Sequence, residues 1–267
     1  MNRNSKTVPP VNPTGIDSPD IVKYFTKRIS YHDWLSNLDR PLSKTVVNIP
    51  ARSSSKRLPN KNIKLLNGLP LLAYSIILAK NMPGVDRVFV NTDSREYADI
   101  AMAFGAESPF LRPPDLAKDD SSVAKANHFL TRYLMEENYP LCSIIVFYPT
   151  SPFRSLAAMN ELTTNLSSHS VVMTCLEVDY APEHICLKNQ EYIFKNRHDQ
   201  TTPANIAYKT TGSFLGINRN VSPHGSADLY FHNNPIEAID IDTEEDFRLA
   251  EMILQNNLYD FGIPICA

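Results

Sequence analysis

The stretch VVNIPARSSSKRLPNKNIKLLNGLPLLAYSIILAKNMPGVDRVFVN, residues 46–91, decides the fold class. It begins with a short apolar run at residues 46–49, which predicts a buried strand. After a polar loop, apolar residues recur at helical spacing from Pro70 to Met82, and the proline suits a first helical turn. A second apolar run follows at residues 86–91. Strand, helix and strand in this order predict a parallel βαβ unit.

The same alternation continues along the chain. Gly105 suits the C-terminal cap of one helix. Short apolar strands that alternate with helices indicate an α/β fold, with a mostly parallel, Rossmann-like nucleotide-binding sheet and helices on both of its faces. Such sheets bind ligands beyond the carboxyl ends of their strands. The further predicted elements are strands at residues 143–148 and 170–175 and helices at residues 94–104, 121–137 and 155–166.

The alternating residues 236–242 predict a last strand, with Asp240 and Asp242 on one face of it. Two neighbouring carboxylates repel each other, and a bound cation relieves that repulsion. Alone, such a pair is often only solvated charge. Thr243 is predicted to cap a final helix, with Asp246 at the capping-box position.

The pattern divides the chain into three parts. Residues 1–43 form an N-terminal extension, a polar tail followed by short stretches of helical spacing. Residues 44–175 and 236–267 form the nucleotide-binding α/β domain. Residues 176–235 break the alternation with prolines, asparagines and short extended pieces, which predicts an inserted lobe.

Bulk composition excludes several classes of function. With 267 residues and 43% hydrophobic content, the chain is long enough for a substantial core. A net charge of -3 leaves no basic surplus for nucleic acid. Because no apolar run has the length of a membrane span or signal peptide, we expect a soluble, cytoplasmic protein. The four cysteines lack metal-binding spacing.

The loop after the first strand, residues 50–62, is the main candidate site. It carries four basic side chains, three serines and two asparagines. Small residues let backbone N–H groups surround an anion, and Lys and Arg neutralise phosphate charge. The glycine spacing of a Walker loop is absent. On composition alone, a solvated basic loop is an equally good interpretation.

The pattern IPARSSSKRLPNKN at residues 49–62 resembles the signature loop of the acylneuraminate cytidylyltransferases, the CMP-sialic acid synthetase family. The resemblance covers roughly residues 46–255 and omits the N-terminal extension. Its other motifs are NGLPL at 67–71, NTDS at 91–94, LRPPDLA at 111–117, PTSPFR at 149–154 and DIDT at 240–243.

The resemblance implies an enzyme that joins CTP to a nonulosonic, sialic-acid-like 2-keto-3-deoxy sugar acid and releases pyrophosphate with Mg²⁺. It also implies a homodimer in which residues 176–235 serve as the sugar-binding and dimerisation lobe. The nucleotide-binding residues that it implies are Ala51, Arg52, Ser53, Lys56, Lys61, Asn62, Arg112, Ser121 and Ser122. The sugar-binding residues are Tyr148, Gln200 and Lys209. Asp240 and Asp242 hold the metal and, with Arg52 and Lys61, form the catalytic set.

The chain departs from the family pattern around the sugar. Tyr148 stands where the family usually has Gln, and Thr211 replaces an Asn. Lys209 stands where Arg is common, so the charge is kept without the bidentate fork. Asp199 falls where another Arg is expected. These departures leave the identity of the sugar open.

Three other functions are compatible with the same residues. The substrate is an eight-carbon 2-keto-3-deoxy acid in the first. In the second, the chain is a GT-A-like glycosyltransferase, which also pairs a nucleotide-binding sheet with an Asp-x-Asp but takes a nucleotide sugar as substrate. In the third, it is a degenerate protein that binds a nucleotide without releasing pyrophosphate.

Overall fold

The computed structural model describes residues 38, 41–113, 123–179, 192–194, 206–221 and 227–266. Within these residues the strands are β1 Lys44–Pro50, β2 Leu65–Leu66, β3 Leu69–Pro70, β4 Arg87–Asn91, β5 Leu141–Val146, β6 Val171–Asp179, β7 Tyr192–Phe194, β8 Ile206–Asn218 and β9 Ala227–Phe231. The α-helices are α1 Leu71–Asn81, α2 Arg95–Ala103, α3 Val123–Glu136, α4 Leu156–Leu166 and α5 Glu244–Gln255. The helices predicted before residue 41 lie outside the described residues, and so do Ser121, Ser122 and Gln200.

Seven strands form one sheet in the order β4-β1-β5-β8-β6-β9, with β7 paired to β8. β1 is parallel to β4 and to β5, and β6 is parallel to β9. β8 alone runs against its neighbours β5, β6 and β7. The predicted α/β class with a mostly parallel sheet is therefore confirmed.

The helix boundaries follow local capping chemistry. Ser94 and Ser155 each precede a helix, and each side chain accepts a hydrogen bond from the first helical turn. Gly105 follows α2 with a φ of 82°, the left-handed conformation that glycine adopts without strain. At α5, Thr243 and Asp246 form the predicted capping box.

The prediction of a strand at residues 236–242 is wrong. A 3₁₀ helix, Pro235–Ala238, occupies the first half, and residues 239–242 pair with no strand in the part of the chain that the structure describes. The alternation arises because Ile239 and Ile241 pack into a second hydrophobic cluster, beside Phe153 and Phe247. Burial of every second residue therefore imitated a strand without a hydrogen-bonding neighbour.

The region predicted as an inserted lobe contributes to the main sheet. β8 and β9 both lie within residues 176–235, and both pair with β6. β6 itself continues past a register shift between Met173 and Cys175 and ends at Asp179. The division at residues 176 and 235, and the dimerisation role, stay predictions. In the described part of the chain, no helix combines the length and apolarity that crossing a bilayer requires.

Thr243→Ala tests the capping box of α5. The change removes the hydroxyl that accepts a hydrogen bond of 3.2 Å from the Asp246 N–H. The variant should lose about 1 kcal/mol of unfolding free energy, which lowers Tm by about 2–4 °C in thermal denaturation followed by circular dichroism.

Thr164→Ala is the matched control. Thr164 is exposed on α4, and its hydroxyl donates to the Asn160 carbonyl oxygen within the same helix. This change should move Tm by less than about 1 °C, because exposed substitutions away from caps cost little. Equal losses in both variants would show that the cap contributes no more than an ordinary surface hydroxyl.

Candidate active site

The candidate site lies at the carboxyl edge of the sheet, where the strand order reverses. From β1 the chain continues to β4 on one side and then returns to β5 on the other side of β1. Connections that leave adjacent strands in opposite directions open a crevice at this edge. The strands β1, β4 and β5 end at this edge, at Pro50, Asn91 and Val146, close to Ile49, Val90 and Tyr148, after which the sequence places the ligand-binding loops.

Hydrogen bonds hold the basic loop after β1 in place. The Ala51 N–H donates to the Asn91 carbonyl oxygen at 3.0 Å, which extends the β1–β4 pairing past the strand. Ser53 donates to both carboxylate oxygens of Asp93, at 2.8 Å from its backbone N–H and 2.8 Å from its hydroxyl. The Asn62 amide nitrogen donates to the Arg52 carbonyl oxygen at 3.0 Å. The loop is therefore closed at both ends.

Arg112 lies at the same edge, as predicted. Its side chain is buried, and its guanidinium donates to the side-chain and backbone oxygens of Asn91. Burial lowers the pKa of Arg112, the nearby charge of Asp93 opposes this effect, and the nearby charge of Arg52 adds to it. Two cationic side chains, Arg52 and Arg112, are thus close enough to repel each other.

Asp242 meets the basic loop across the crevice. One of its carboxylate oxygens contacts the Lys61 Nζ at 2.6 Å, and the other contacts an Arg57 guanidinium nitrogen at 2.6 Å. The Lys61 side chain is only 9% exposed, whereas the Arg57 side chain is 71% exposed. The two ends of the candidate site are joined by these ion pairs across more than 180 residues of sequence.

The segment that carries Asp240 and Asp242 is anchored at its centre. Ile241 is fully buried, and its N–H donates to the Thr150 carbonyl oxygen at 2.7 Å. The Asp242 N–H donates to a carboxylate oxygen of Asp246 at 3.0 Å. The buried Ile241 separates two carboxylates that are partly or fully exposed.

Asp240 and Asp242 suit a magnesium ion by their chemistry. Among the described residues, no group of three or more His, Cys, Asp or Glu side chains is placed to hold a metal by itself. Magnesium in nucleotide sites usually takes one or two carboxylates together with phosphate oxygens and water. Two aspartates fit that arrangement by their chemistry. The strand predicted to place them on one face is absent, and both carboxylate oxygens of Asp242 are paired with Arg57 and Lys61.

A buried arginine fixes the turn after β5. The Arg154 guanidinium is fully buried and donates to the carbonyl oxygens of Tyr148, Gly212 and Ser213, at 2.7, 3.0 and 2.6 Å. Burial lowers its pKa to about 9, and Tyr259 and Asp240 act in the opposite direction. The turn is thereby attached to β8.

Tyr148 packs closely on Gly212 of β8. A Cβ atom at Gly212 would lie 2.4 Å from the Tyr148 ring, so only glycine fits there. Burial and, to a smaller extent, the charge of Asp240 raise the pKa of Tyr148 above its ordinary value. Tyr148 is therefore placed near Asp240, at the edge of the candidate site. Lys209, the other described sugar-binding candidate, is exposed on β8.

Sequence reasoning missed the role of several residues. Arg57 was one of four basic residues in the loop, and nothing in its local sequence marks it as a partner of Asp242. Glu237 and His232, which contact each other at 3.2 Å, lacked any motif spacing. Arg154 belongs to the PTSPFR motif, but nothing in the neighbouring sequence indicates that its charged side chain is fully buried.

Comparison with known proteins identifies the family. The sequence model of the cytidylyltransferase family matches residues 46–265. The chain is 31% identical over 228 residues to a CMP-N,N'-diacetyllegionaminic acid synthase of Legionella pneumophila. This alignment covers 78% of this chain and 95% of the relative. It is 32% identical over 227 residues to an N-acylneuraminate cytidylyltransferase of Escherichia coli O18:K1:H7. That alignment covers 80% of this chain and 52% of the relative.

A solved CMP:2-keto-3-deoxy-manno-octonic acid synthetase in complex with CTP has a similar fold. It matches with a TM-score of 0.59 and 16% identity, over 80% of this chain and all of that chain. At this identity the likeness concerns the fold alone. The family match covers most of the chain and all of the described site, and we conclude that the chain belongs to the cytidylyltransferase family.

Proposed function

We propose that the protein transfers the cytidylyl group of CTP to a nonulosonic 2-keto-3-deoxy sugar acid, with release of pyrophosphate. The observation that carries this proposal is the meeting of the basic loop with Asp242 at the reversal of strand order. Loop cations contact a carboxylate at this edge of the sheet, and the chain belongs to the cytidylyltransferase family. Both facts support a triphosphate beside the loop and a metal beside Asp242.

The basic loop binds the triphosphate in this proposal. Arg52, Lys56 and Lys61 neutralise the phosphate charge as it moves toward the leaving pyrophosphate. The Oδ1 atom of Asn62 is buried without a hydrogen-bond partner in the described part of the chain. This oxygen is therefore ready to accept a hydrogen bond from a ribose hydroxyl. Arg112, held rigidly by Asn91, contacts the cytosine base.

The reaction itself is an in-line displacement. The anomeric hydroxyl oxygen of the sugar attacks the α-phosphorus, the bond from this phosphorus to the β-phosphate oxygen breaks, and the hydroxyl proton passes to solvent. Asp240 and Asp242 hold the magnesium ion. When bound, the ion stabilises charge on the phosphates and makes the attacking hydroxyl more acidic. Lys61 turns from Asp242 toward the phosphates as the nucleotide binds.

The sugar lies beside Tyr148 in this proposal. The protonated hydroxyl of Tyr148 offers one hydrogen-bond donor at the edge of the crevice, and Gly212 leaves no room for a side chain beneath it. Lys209, on β8, offers a charge for the sugar carboxylate. A sugar of the nonulosonic class is supported by the relatives, whose names specify diacetyllegionaminic and N-acylneuraminic acids.

The direct test is pyrophosphate release from CTP and Mg²⁺ against a panel of nonulosonic acids and an eight-carbon 2-keto-3-deoxy acid. We expect release with CTP and at least one nine-carbon acid, and at most trace release when ATP, GTP or UTP replaces CTP. Release only with the eight-carbon acid would correct the sugar class. CTP binding without release under any pairing would contradict an enzymatic function.

Lys61→Gln should lower kcat/KM by about 100-fold, because a buried charge near the developing phosphate charge is lost. Steady-state pyrophosphate release measures this effect. Lys44→Gln, at the amino end of β1, removes the same charge far from the crevice and should leave kcat/KM within about twofold of the wild type. Similar losses in both variants would show a general charge effect and contradict the role of Lys61.

Arg57→Gln should strengthen metal binding in the absence of nucleotide. Arg57 competes with a metal for one oxygen of Asp242, and an exposed ion pair of this kind is worth up to about 1 kcal/mol. The Kd for Mn²⁺, measured by electron paramagnetic resonance, should fall by about two- to fivefold. Lys44→Gln again controls for net charge. An unchanged or higher Kd in Arg57→Gln would exclude Asp242 as a metal ligand that Arg57 blocks.

A further inference from the structure

Among the residues that the structure describes, no strand lies beside the segment that carries Asp240 and Asp242. The Ile241 N–H makes a backbone hydrogen bond to the Thr150 carbonyl oxygen at 2.7 Å. A metal site tolerates little displacement of its ligands, since coordination distances hold within about 0.2 Å. Besides the contacts of Ile241 and Asp242, the segment is held from its N-terminal side by Glu237.

Glu237 is a buried carboxylate three residues before Asp240. It is 9% exposed, and one of its oxygens accepts a hydrogen bond of 2.8 Å from the Tyr259 hydroxyl. The other oxygen contacts the Nδ1 atom of His232 at 3.2 Å. Glu237 thus contacts the C-terminal segment and the residue after β9.

The backbone of Glu237 is held as well. Its carbonyl oxygen accepts a hydrogen bond of 3.0 Å from the Ser213 hydroxyl on β8. Its N–H donates to the Asn234 carbonyl oxygen at 3.0 Å, within the 3₁₀ turn. Side chain and backbone are therefore both fixed at one residue, and the chain that leaves it toward Asp240 starts from a rigid point.

The contacts of His232 extend this network to the sheet. Its Nε2 atom lies 2.9 Å from the Thr211 hydroxyl, which in turn donates to the Thr174 hydroxyl at 2.7 Å. The His232 side chain is 1% exposed. Thr211 directly precedes Gly212, on which Tyr148 packs. One network therefore reaches both the carboxylate segment and the strand beneath Tyr148.

Neighbouring groups stabilise the ionised form of the buried Glu237 carboxylate. Burial raises the pKa of Glu237, but the hydrogen bonds from His232 and Tyr259 and the charge of His232 outweigh it, so the net pKa lies below its usual value. A carboxylate that stays ionised keeps both oxygens as acceptors. It therefore holds His232 and Tyr259 at the same time.

We propose that Glu237 is a positioning residue, which holds the segment 238–242 so that Asp240 and Asp242 present their carboxylates to a metal ion together. This inference rests on the proposed function, because it concerns the metal pair of that reaction. Glu237 itself is enclosed by protein groups and acts only through the segment that follows it.

Glu237→Ala tests this role by removing the network and keeping both metal ligands. At saturating CTP and without sugar, the Kd for protein-bound Mn²⁺, measured by water-proton relaxation, should rise about tenfold or more, as is typical when a group behind a metal ligand is lost. The Kd for CTP without divalent metal, measured by calorimetry, should stay within about twofold, since Arg52 and Lys56 lie on the loop after β1, which is held by Asp93 and Asn62 and not by Glu237.

Glu237→Gln and Leu134→Ala are the controls. Gln keeps the shape and can pair with both Tyr259 and His232 once the histidine changes tautomer, so its Kd for Mn²⁺ should return to within about threefold of the wild type. Leu134 is fully buried in a separate cluster. Its truncation should lower Tm without changing the affinity for Mn²⁺.

The outcomes separate the two claims. Unchanged Mn²⁺ affinity in Glu237→Ala, or an equal loss in Leu134→Ala, would overturn the positioning role while the proposed function stands. Failure of Gln to restore the affinity would also overturn it, because the hydrogen-bond network would then not be the cause. A wild-type chain that binds no CTP would overturn the proposed function, and this inference with it.

Discussion

The parallel pairing of β1 with β4 on one side and β5 on the other is the constraint on which the rest of the structure depends. The pairing continues beyond the strands, since the Ala51 N–H bonds to the Asn91 carbonyl oxygen and the Phe147 N–H bonds to the Asn48 carbonyl oxygen. Three loops therefore begin at one edge of the sheet, at heights that backbone hydrogen bonds determine. Side chains on these three loops, which are far apart in the sequence, are therefore brought together by the backbone pairing of the strands.

Positive charge at this edge is supported in two different ways. Arg112 and Arg154 are buried, and they donate hydrogen bonds to carbonyl, amide and hydroxyl oxygens. Lys61 and Arg57 instead pair with the carboxylate of Asp242. Carbonyl dipoles orient a guanidinium without cancelling its charge, whereas a carboxylate cancels it. Arg112 and Arg154 therefore keep their positive charge available at this edge. Lys61 and Arg57 are paired with Asp242, and an anionic ligand must compete with that carboxylate for them.

Local chemistry was predictable from the sequence, and long-range pairing was not. The βαβ unit, the Gly105 cap and the Thr243–Asp246 box follow from apolar spacing and capping preferences within about ten residues. The strand at 236–242 was predicted wrongly because burial of alternate residues looks the same with or without a neighbouring strand. The placement of β8 between β5 and β6 has no periodic signal, since either strand offers a compatible edge.

The candidate site shows the same limit. Its basic loop and Asp pair could be chosen from residue type, and the structure brings Lys61 and Asp242 together. Long-range contacts decide which loop cation pairs with Asp242 and which buried carboxylate supports its segment. Arg57 and Asp242, for example, are 185 positions apart in the sequence. Ser121, Ser122 and Gln200 lie outside the described residues, so their assignment stays a prediction.

The late position of β8 in the chain has a consequence for biosynthesis. β5 ends at Val146, and among the described residues the edge of β5 that faces away from β1 pairs with β8, which begins at Ile206. Wherever β4, β1 and β5 pair before β8 has been synthesised, this edge exposes backbone N–H and C=O groups without a partner strand. Such edges are templates for intermolecular pairing. A chaperone bound at this stage shields the edge and reduces aggregation. Slow elongation across residues 147–206 prolongs the exposure of the edge and increases aggregation.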